Sequence, residues 1–147
     1  MSVPTTSDAA VALLVGTART DRCQNAFFRQ QQLKSLHDIL RNNVAQLRDA
    51  IKKDDGVTDA EATTEIAVVL GIVKEHYKSI DPQKEIQNEY QVAHKKDFLK
   101  RTVPWGVVYI EPALGHTPVF NILSPLSAAI VAGNCVALKV RAFSVFS

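Results

Sequence analysis

The chain has 147 residues, of which 46% are hydrophobic, which suffices for one ordinary domain with a core. The formal net charge is only +2, and no basic stripe interleaves with aromatic residues, so no nucleic-acid partner is expected. No apolar run approaches the roughly 18 residues of a membrane span, and no basic region precedes the short apolar run near the N-terminus. These features predict a cytoplasmic protein without a membrane span.

Helical periodicity dominates residues 1–79, after a lead at Met1–Thr6 that is expected to be disordered. Ser7 can cap a first short helix. From about Asp21 to Lys53 the apolar residues recur at steps of three and four, which predicts one long helix with a single core-facing stripe. That stripe consists of Phe28, Leu33, Leu36, Ile39, Leu40, Val44, Leu47, Ala50 and Ile51. Four basic residues of the helix lie off the stripe: Arg29, Lys34, Arg41 and Arg48.

A third helix is predicted from Thr58 or Asp59 to about Ser79. Its inner face consists of Ile66, Val69, Leu70, Val73 and Tyr77. Asp81–Pro82 closes this helix, because proline disfavours helical conformation in the preceding residue. Residues 83–103 are polar and partly alternating, which predicts an extended arm or an edge strand.

The two cysteines, Cys23 and Cys135, lie far apart in the sequence and form no CxxC motif. This pattern fits a reducing compartment better than a disulfide framework, and it leaves a single bridge open. Cys135 falls on a predicted core strand, where a thiol is most often inert, and Cys23 has no nucleophile context.

Residues 104–147 differ sharply in composition from the rest. They contain only two of the 17 basic residues and one of the 15 acidic ones. The pattern predicts a strand at Gly106–Glu111, a helix at Pro118–Ala132 that ends at Gly133, and a second strand at Cys135–Val140. Pro125 inside this helix predicts a kink or a late start. Strands that are apolar on both faces favour a parallel sheet covered by helices.

These observations divide the chain into a helical region with an extended arm, residues 1–103, and a βαβ unit, residues 104–147. One strand–helix–strand unit cannot cover its own sheet, because a parallel pair needs neighbouring strands and helices on both faces. We therefore expect a marginally stable protein that is prone to association.

This order of elements resembles the start of an aldehyde dehydrogenase, most closely the branch that acts on long-chain and aromatic aldehydes. The matching residues are RQQQLKSLHDIL in the long helix, Pro104, Gly106–Val108, Pro118, Pro125–Leu126, and the AGN-x-V-x-LK block that ends at Lys139. The likeness covers nearly the whole chain but only about the first third of such an enzyme. It implies an α/β fold, namely N-terminal helices plus an incomplete, Rossmann-like, dinucleotide-binding βαβ unit of a truncated aldehyde dehydrogenase.

The resemblance also implies a chemistry, the oxidation of an aldehyde to a carboxylic acid with NAD or NADP. In the family, a cysteine thiolate attacks the carbonyl and a glutamate activates the hydrolytic water. Both residues lie beyond the end of this sequence, so no catalytic residue is assigned and a truncated, inactive pseudoenzyme is expected. Cofactor binding by this chain alone is correspondingly in question. The alternative is a non-catalytic interaction module that associates with itself or with a full-length aldehyde dehydrogenase.

Lys139 is the one candidate cofactor-binding residue, because it matches the family's lysine that hydrogen-bonds the adenosine ribose. A strand-end lysine facing water is an equally weighted reading, since the family's following glutamate is replaced within Val140–Ala142. His116 stands where the family has its oxyanion asparagine, and a solvent-facing turn histidine is the favoured interpretation. The remaining histidines, His37, His76 and His94, are expected on solvated surfaces, and no metal site is predicted.

Overall fold

A computed structural model describes residues 7–20, 22–95, 102–112 and 115–139. Within them the chain forms helices and a short parallel sheet in one sequential order. The elements are α1 (Ser7–Ala18), α2 (Ala26–Asn42), α3 (Val44–Asp55), α4 (Asp59–Ser79), α5 (Pro82–Ala93), β1 (Val107–Ile110), α6 (Pro118–Val131) and β2 (Cys135–Leu138). The predicted disordered lead, residues 96–101 of the predicted arm, and everything from Val140 onward lie outside the described residues.

The predicted long helix is wrong, because it is two helices joined at Asn43. Asn43 has φ −116° and ψ 19°, and its side-chain amide donates to the carbonyl of Ile39 at 2.7 Å. An asparagine side chain that bonds to nearby backbone competes with the helical ladder, which explains the break. The helix also begins later than predicted, at Ala26, where the side chain of Asn25 accepts from the backbone N–H of Phe28 at 3.0 Å.

The predicted arm is also wrong over residues 83–93, which belong to helix α5. Asp81 caps this helix by accepting from the backbone N–H of Lys84 at 3.0 Å, and Pro82 occupies its first turn. Proline at this position loses no hydrogen bond and has the φ that a helix requires. Most of the remaining residues of α5 are good helix formers, and its N-terminal signals outweigh the weak alternation.

The core lies among α2, α4 and α6. Its buried residues come mainly from α2 and α4, and the residues of α6 pack against them. Of the predicted apolar stripe, Leu33, Leu40 and Ile51 are buried, whereas Ile39 is 60% exposed. The inner face predicted for α4 is confirmed at the buried Ile66, Val69 and Val73, but it is wrong at Tyr77, which is 37% exposed near the end of the helix. The helical region and the βαβ unit therefore share one core.

Arg29, which the sequence placed off the core stripe, is buried instead. Its guanidinium donates to the carbonyl of Val131 at the end of α6 and forms an ion pair with Glu85 of α5. A buried arginine is tolerated when its charge is paired and hydrogen-bonded, as it is here through both terminal nitrogens, although the buried Nε has no partner among the described residues. This side chain connects α2 to α5 and α6.

The two strands pair in parallel, as the sequence predicted, with Val107 opposite Cys135 and Ile110 opposite Leu138. Helix α6 connects them and begins at Pro118, so Pro125 causes no late start. Both α1 and α6 contact the strands. The α/β fold class, with N-terminal helices and an incomplete parallel βαβ unit, is thereby confirmed.

In the described part of the chain, no helix combines the length and the hydrophobicity needed to cross a bilayer.

Candidate functional site

The carboxyl ends of the two parallel strands meet at one edge of the sheet. Glu111 directly follows β1 and Lys139 directly follows β2, and the backbone N–H of Lys139 donates to the carbonyl of Ile110 at 3.0 Å. In open α/β sheets, ligands bind outside the carboxyl ends of the strands. The predicted cofactor-binding residue therefore stands at the edge where this kind of fold places its ligands.

Lys139 forms an ion pair at this edge. Its ammonium nitrogen lies 2.8 Å from Oε1 of Glu111, and both side chains are partly exposed. The hydroxyl of Tyr109 donates to the other carboxylate oxygen of Glu111 at 3.0 Å. Partial desolvation, and to a smaller extent this hydrogen bond to Glu111, raises the pKa of Tyr109 above its usual value of 10.0. Together these three residues place a cation, a carboxylate and a phenol at the sheet edge, which is called the strand-end cluster below.

The N-terminus of α6 already holds a carboxylate. Glu65, a buried residue of α4, accepts from the backbone N–H of Phe120 at 2.9 Å through Oε1. The sequence alone did not indicate a role for Glu65. The one feature that could have indicated it is the position of this acidic residue directly before Ile66, on the inner face of α4. The N–H groups of a helix N-terminus attract anions, so Glu65 and a phosphate would compete for the same donor.

The described residues therefore fit part of a dinucleotide. The ammonium of Lys139 can donate to a ribose hydroxyl, and the carboxylate of Glu111 can accept from one. The start of α6, with Glu65 bonded there, fits a pyrophosphate poorly. The absence of a glycine-rich phosphate motif in the sequence agrees with this. The assignment of Lys139 to cofactor binding stays a prediction.

The histidines occupy three kinds of environment. His116 is exposed in the turn before α6, in agreement with the favoured interpretation of a solvent-facing turn histidine. His76 does not lie on a freely solvated face as predicted, because its Nδ1 lies 2.9 Å from Oγ of the buried Ser127. His37 is half-buried near Asp38, and the exposed His94 has Nδ1 2.9 Å from the carbonyl of Tyr90. No group of three or more potential metal ligands occurs among the residues described.

The two cysteines, distant in sequence, are neighbours in the structure. Their sulfur atoms lie 3.2 Å apart, with Cys23 half-buried in the turn before α2 and Cys135 buried at the start of β2. Burial, and to a smaller extent the contact with Cys23, raises the pKa of the Cys135 thiol to about 11. Because a nucleophilic cysteine needs its thiolate, Cys135 is poorly suited to attack a carbonyl at neutral pH.

The model of the aldehyde dehydrogenase family matches residues 4–147 of this chain. The chain belongs to the aldehyde dehydrogenase family. The resemblance inferred from the AGN-x-V-x-LK block and the preceding elements is thereby confirmed.

Individual aldehyde dehydrogenases show the same relationship. Aldehyde dehydrogenase family 3 member B1 of Mus musculus is 31% identical over 122 residues, which make up 80% of this chain and 26% of that protein. Aldehyde dehydrogenase family 3 comG of Dictyostelium discoideum is 31% identical over 80% of this chain and 25% of its own. The 4,4'-diaponeurosporen-aldehyde dehydrogenase of Staphylococcus aureus is 27% identical over 82% of this chain and 27% of its own. No solved structure gives a significant match.

The chain thus spans about a quarter of the length of the aldehyde dehydrogenases that it matches, somewhat less than the third expected from the sequence.

Proposed function

We propose that these residues form the helical region and the first strand–helix–strand unit of an NAD(P)-dependent, aldehyde-oxidising enzyme, and that Lys139 contacts the cofactor's adenosine ribose. The observation that carries this proposal is the position of Lys139 beside Glu111 at the carboxyl edge of the parallel strands. Family membership supports the aldehyde-oxidising chemistry. When bound, the nicotinamide of the cofactor would accept the hydride that leaves the substrate.

Glu111 completes the proposed ribose contact. The family's glutamate after the lysine is missing from this sequence, and Glu111 presents a carboxylate within 2.8 Å of the Lys139 ammonium. One ribose hydroxyl can accept from Lys139 while another donates to Glu111, because each carboxylate oxygen accepts more than one hydrogen bond.

We further propose that the 147 residues alone do not catalyse aldehyde oxidation. The buried Cys135 thiol, with its pKa raised to about 11, contacts Cys23 and lies at the start of β2, whereas Lys139 follows the other end of that strand. Without a nucleophilic cysteine at the strand-end cluster, the acyl-enzyme step has no starting point there. In a complete enzyme, this chain would supply cofactor contacts and core packing while the nucleophile came from residues outside it.

Cofactor affinity tests the proposed role of Lys139, and turnover separately tests the proposed inactivity of the chain. Binding of NAD and NADP is measured by isothermal titration, and Lys139→Ala is expected to weaken it about tenfold through loss of a charged hydrogen bond. Lys74→Ala, an exposed lysine on α4, is the matched control. Equal affinity in both variants would refute the role of Lys139. Formation of reduced cofactor from a panel of aldehydes would refute the inactivity of the chain.

A second candidate, the interaction module, is favoured by the apolar surface of the βαβ unit. Trp105 is 96% exposed and Tyr109 59% exposed, and within the described residues each strand pairs only with the other. Open strand edges beside exposed aromatic residues favour association with another chain. The proposed partner is a second copy or a full-length aldehyde dehydrogenase, and co-purification from a mixture with the longer enzyme tests it. The cytoplasmic location stays a prediction from the sequence.

A further inference from the structure

The turn before α2 and the start of β2 meet at a close backbone contact. A Cβ atom added to Gly133 would lie 3.1 Å from the carbonyl oxygen of Cys23. Gly133 also has φ +81°, the left-handed conformation that ends α6 and directs the chain into β2. The Cys23 backbone is therefore seated directly against the α6–β2 junction.

The thiols of Cys23 and Cys135 face each other across this contact. Their sulfur atoms are 3.2 Å apart, although 112 positions separate them in the sequence. A disulfide requires about 2.05 Å between sulfurs, so the pair has to close by only about 1.2 Å. The carbonyl of Cys23 already lies against Gly133, two residues before Cys135, so the elements that carry the two thiols are held together.

We propose that Cys23 and Cys135 are a modification site at which a peroxide installs a reversible intramolecular disulfide. Cys23 is the more accessible of the two thiols, and a cavity of about 150 Å³ opens beside it, lined also by Phe28, Gln32 and Leu126. That volume admits hydrogen peroxide, whereas Cys135 is buried and reacts second. The proposal does not depend on cofactor binding or on the proposed enzymatic role.

The chemistry balances in two steps. The Cys23 thiolate attacks one peroxide oxygen, the O–O bond breaks, and the departing hydroxide takes a proton to give water and a sulfenic acid. The Cys135 sulfur then attacks the Cys23 sulfur, the S–O bond breaks, and the hydroxyl group leaves with the Cys135 proton as a second water. Two thiols have been oxidised to one disulfide, and one peroxide has been reduced to two waters.

The bridge would close a loop of more than a hundred residues. A cross-link of that length removes much conformational freedom from the unfolded chain and therefore stabilises the folded one. We expect the oxidised monomer to melt about 10 °C higher than the reduced one. Treatment with dithiothreitol should reverse this shift completely.

The test treats the purified wild-type chain with stoichiometric hydrogen peroxide, blocks residual thiols with iodoacetamide, and maps peptides without reduction. The expected product is a monomer lighter by two hydrogen atoms, with the Cys23 peptide linked to the Cys135 peptide. Its yield should be independent of protein concentration. Alkylation of both cysteines by iodoacetamide, sulfinic or sulfonic acids alone, or only intermolecular dimers would overturn the proposal.

The variant Cys23→Ser is the matched control, because Cys23 is only half-buried and serine is close to it in size. The same peroxide treatment should leave its melting temperature unchanged and produce no cross-linked monomer. An equal rise in melting temperature in Cys23→Ser would show that the shift arises elsewhere and would also overturn the proposal. The wild-type peptide map decides the question even if the variant folds poorly.

Discussion

At the scale of single residues, Glu65 shows how a buried charge can join two helices. Its carboxylate lies within the core-facing side of α4 and accepts from the backbone N–H of Phe120 in the first turn of α6. The bond satisfies a donor that the helix itself leaves open, and the negative charge interacts favourably with the helix dipole. Glu65 therefore fixes the start of α6 relative to α4.

Removing this carboxylate should destabilise the protein measurably. Glu65→Ala leaves the Phe120 N–H without its partner in a partly buried place, and we expect a loss of about 2 kcal/mol in the free energy of unfolding. Glu65→Gln keeps an acceptor oxygen and should lose about half as much. Urea denaturation measures both. Glu75→Ala, in the same helix but exposed, is the control and should stay within about 0.5 kcal/mol of wild type.

Two glycines should respond to alanine with opposite signs. Gly133 has φ +81° and a carbonyl 3.1 Å from its would-be Cβ, so Gly133→Ala should cost about 2 kcal/mol. Gly71 lies inside α4 with nothing within 4 Å of its would-be Cβ, so Gly71→Ala should stabilise by about 0.7 kcal/mol. Thermal or urea unfolding of both variants checks the signs. Destabilisation by Gly71→Ala would contradict the open surroundings of that position.

The sequence predicted Gly133 as a helix stop because glycine before asparagine is a local signal. It did not predict the positions of Arg29 or Glu65, because the burial of a charged side chain depends on partners far away in the chain. Glu85, the partner of Arg29, is 56 positions away, and Phe120 lies 55 positions from Glu65. The proximity of Cys23 and Cys135 could not be predicted either, because 112 positions separate them in the sequence.

At the scale of elements, α4 begins with a capping box. The hydroxyl of Thr58 accepts from the backbone N–H of Glu61, and the Glu61 carboxylate accepts in return from the backbone N–H of Thr58 at 2.8 Å. The bond from the Thr58 backbone N–H, and to a smaller extent the bond from the Thr58 hydroxyl, holds the pKa of Glu61 below its usual 4.5. The nearby charge of His116 acts in the same direction.

The capping box predicts how the stability of the fold depends on pH in the acidic range. A carboxyl whose folded pKa is lowered stabilises the fold above its unfolded pKa, and this stability is lost as the pH falls through the folded pKa. Glu61→Gln should therefore have a lower urea midpoint than wild type at pH 7, and the gap should close as the pH falls below 4.5. Glu75→Gln serves as the control. A gap that stays constant down to strongly acidic pH would contradict the titration of Glu61 as its source.

Among the elements that the structure describes, helix α5 has the least contact with the rest of the chain. None of its residues is buried, and its contact with α2 includes the ion pair between Arg29 and Glu85. Glu85→Gln should speed hydrogen exchange across residues 82–93 about fivefold, equivalent to about 1 kcal/mol, while leaving α4 unchanged. Gln87→Ala, an exposed substitution in α5, should not reproduce the effect. Equal acceleration in α4 would mean that the ion pair supports the whole core rather than α5.

The elements that the sequence predicted correctly are those with strong local signals. The strands are apolar runs bounded by glycine and proline, and α4 has a cap and a regular inner face. The prediction failed for α5 because its helical period is short: only Ile86, Tyr90 and Ala93 recur at steps of four and three, within an otherwise polar segment whose weak alternation suggested a strand. It failed at Asn43 because the apolar stripe continues across the break from α2 into α3.

At the scale of the whole molecule, α6 packs more extensively on α4 than any other pair of elements. The strand–helix–strand unit thus has one covered side, built from residues before position 80. Because α4 covers α6, the strand–helix–strand unit should be more stable than the sequence alone suggested, although Trp105 is still exposed. Among the described residues in and beside the strands, exposed apolar side chains include Val103, Trp105, Tyr109 and Leu138.

Self-association should involve this surface. Trp105 is the only tryptophan and is 96% exposed, so its fluorescence should shift to shorter wavelength as protein concentration rises. Trp105→Ser should weaken association about tenfold in sedimentation equilibrium, because it removes a large aromatic anchor. Ile39→Ser, at a 60% exposed apolar position on α2, is the control. A wild-type chain that stays monomeric at high concentration would contradict this prediction.

The α6–β2 junction has a consequence for what family likeness means in this chain. The side-chain oxygen of Asn134 accepts from the backbone N–H of Gly106 at 3.0 Å, and the Cys135 N–H donates to the Gly106 carbonyl at 2.8 Å. Gly133 and Asn134 thus align one strand with the next, a task of architecture independent of any substrate. A protein can keep this signature for as long as it needs to fold, whether or not it still oxidises anything.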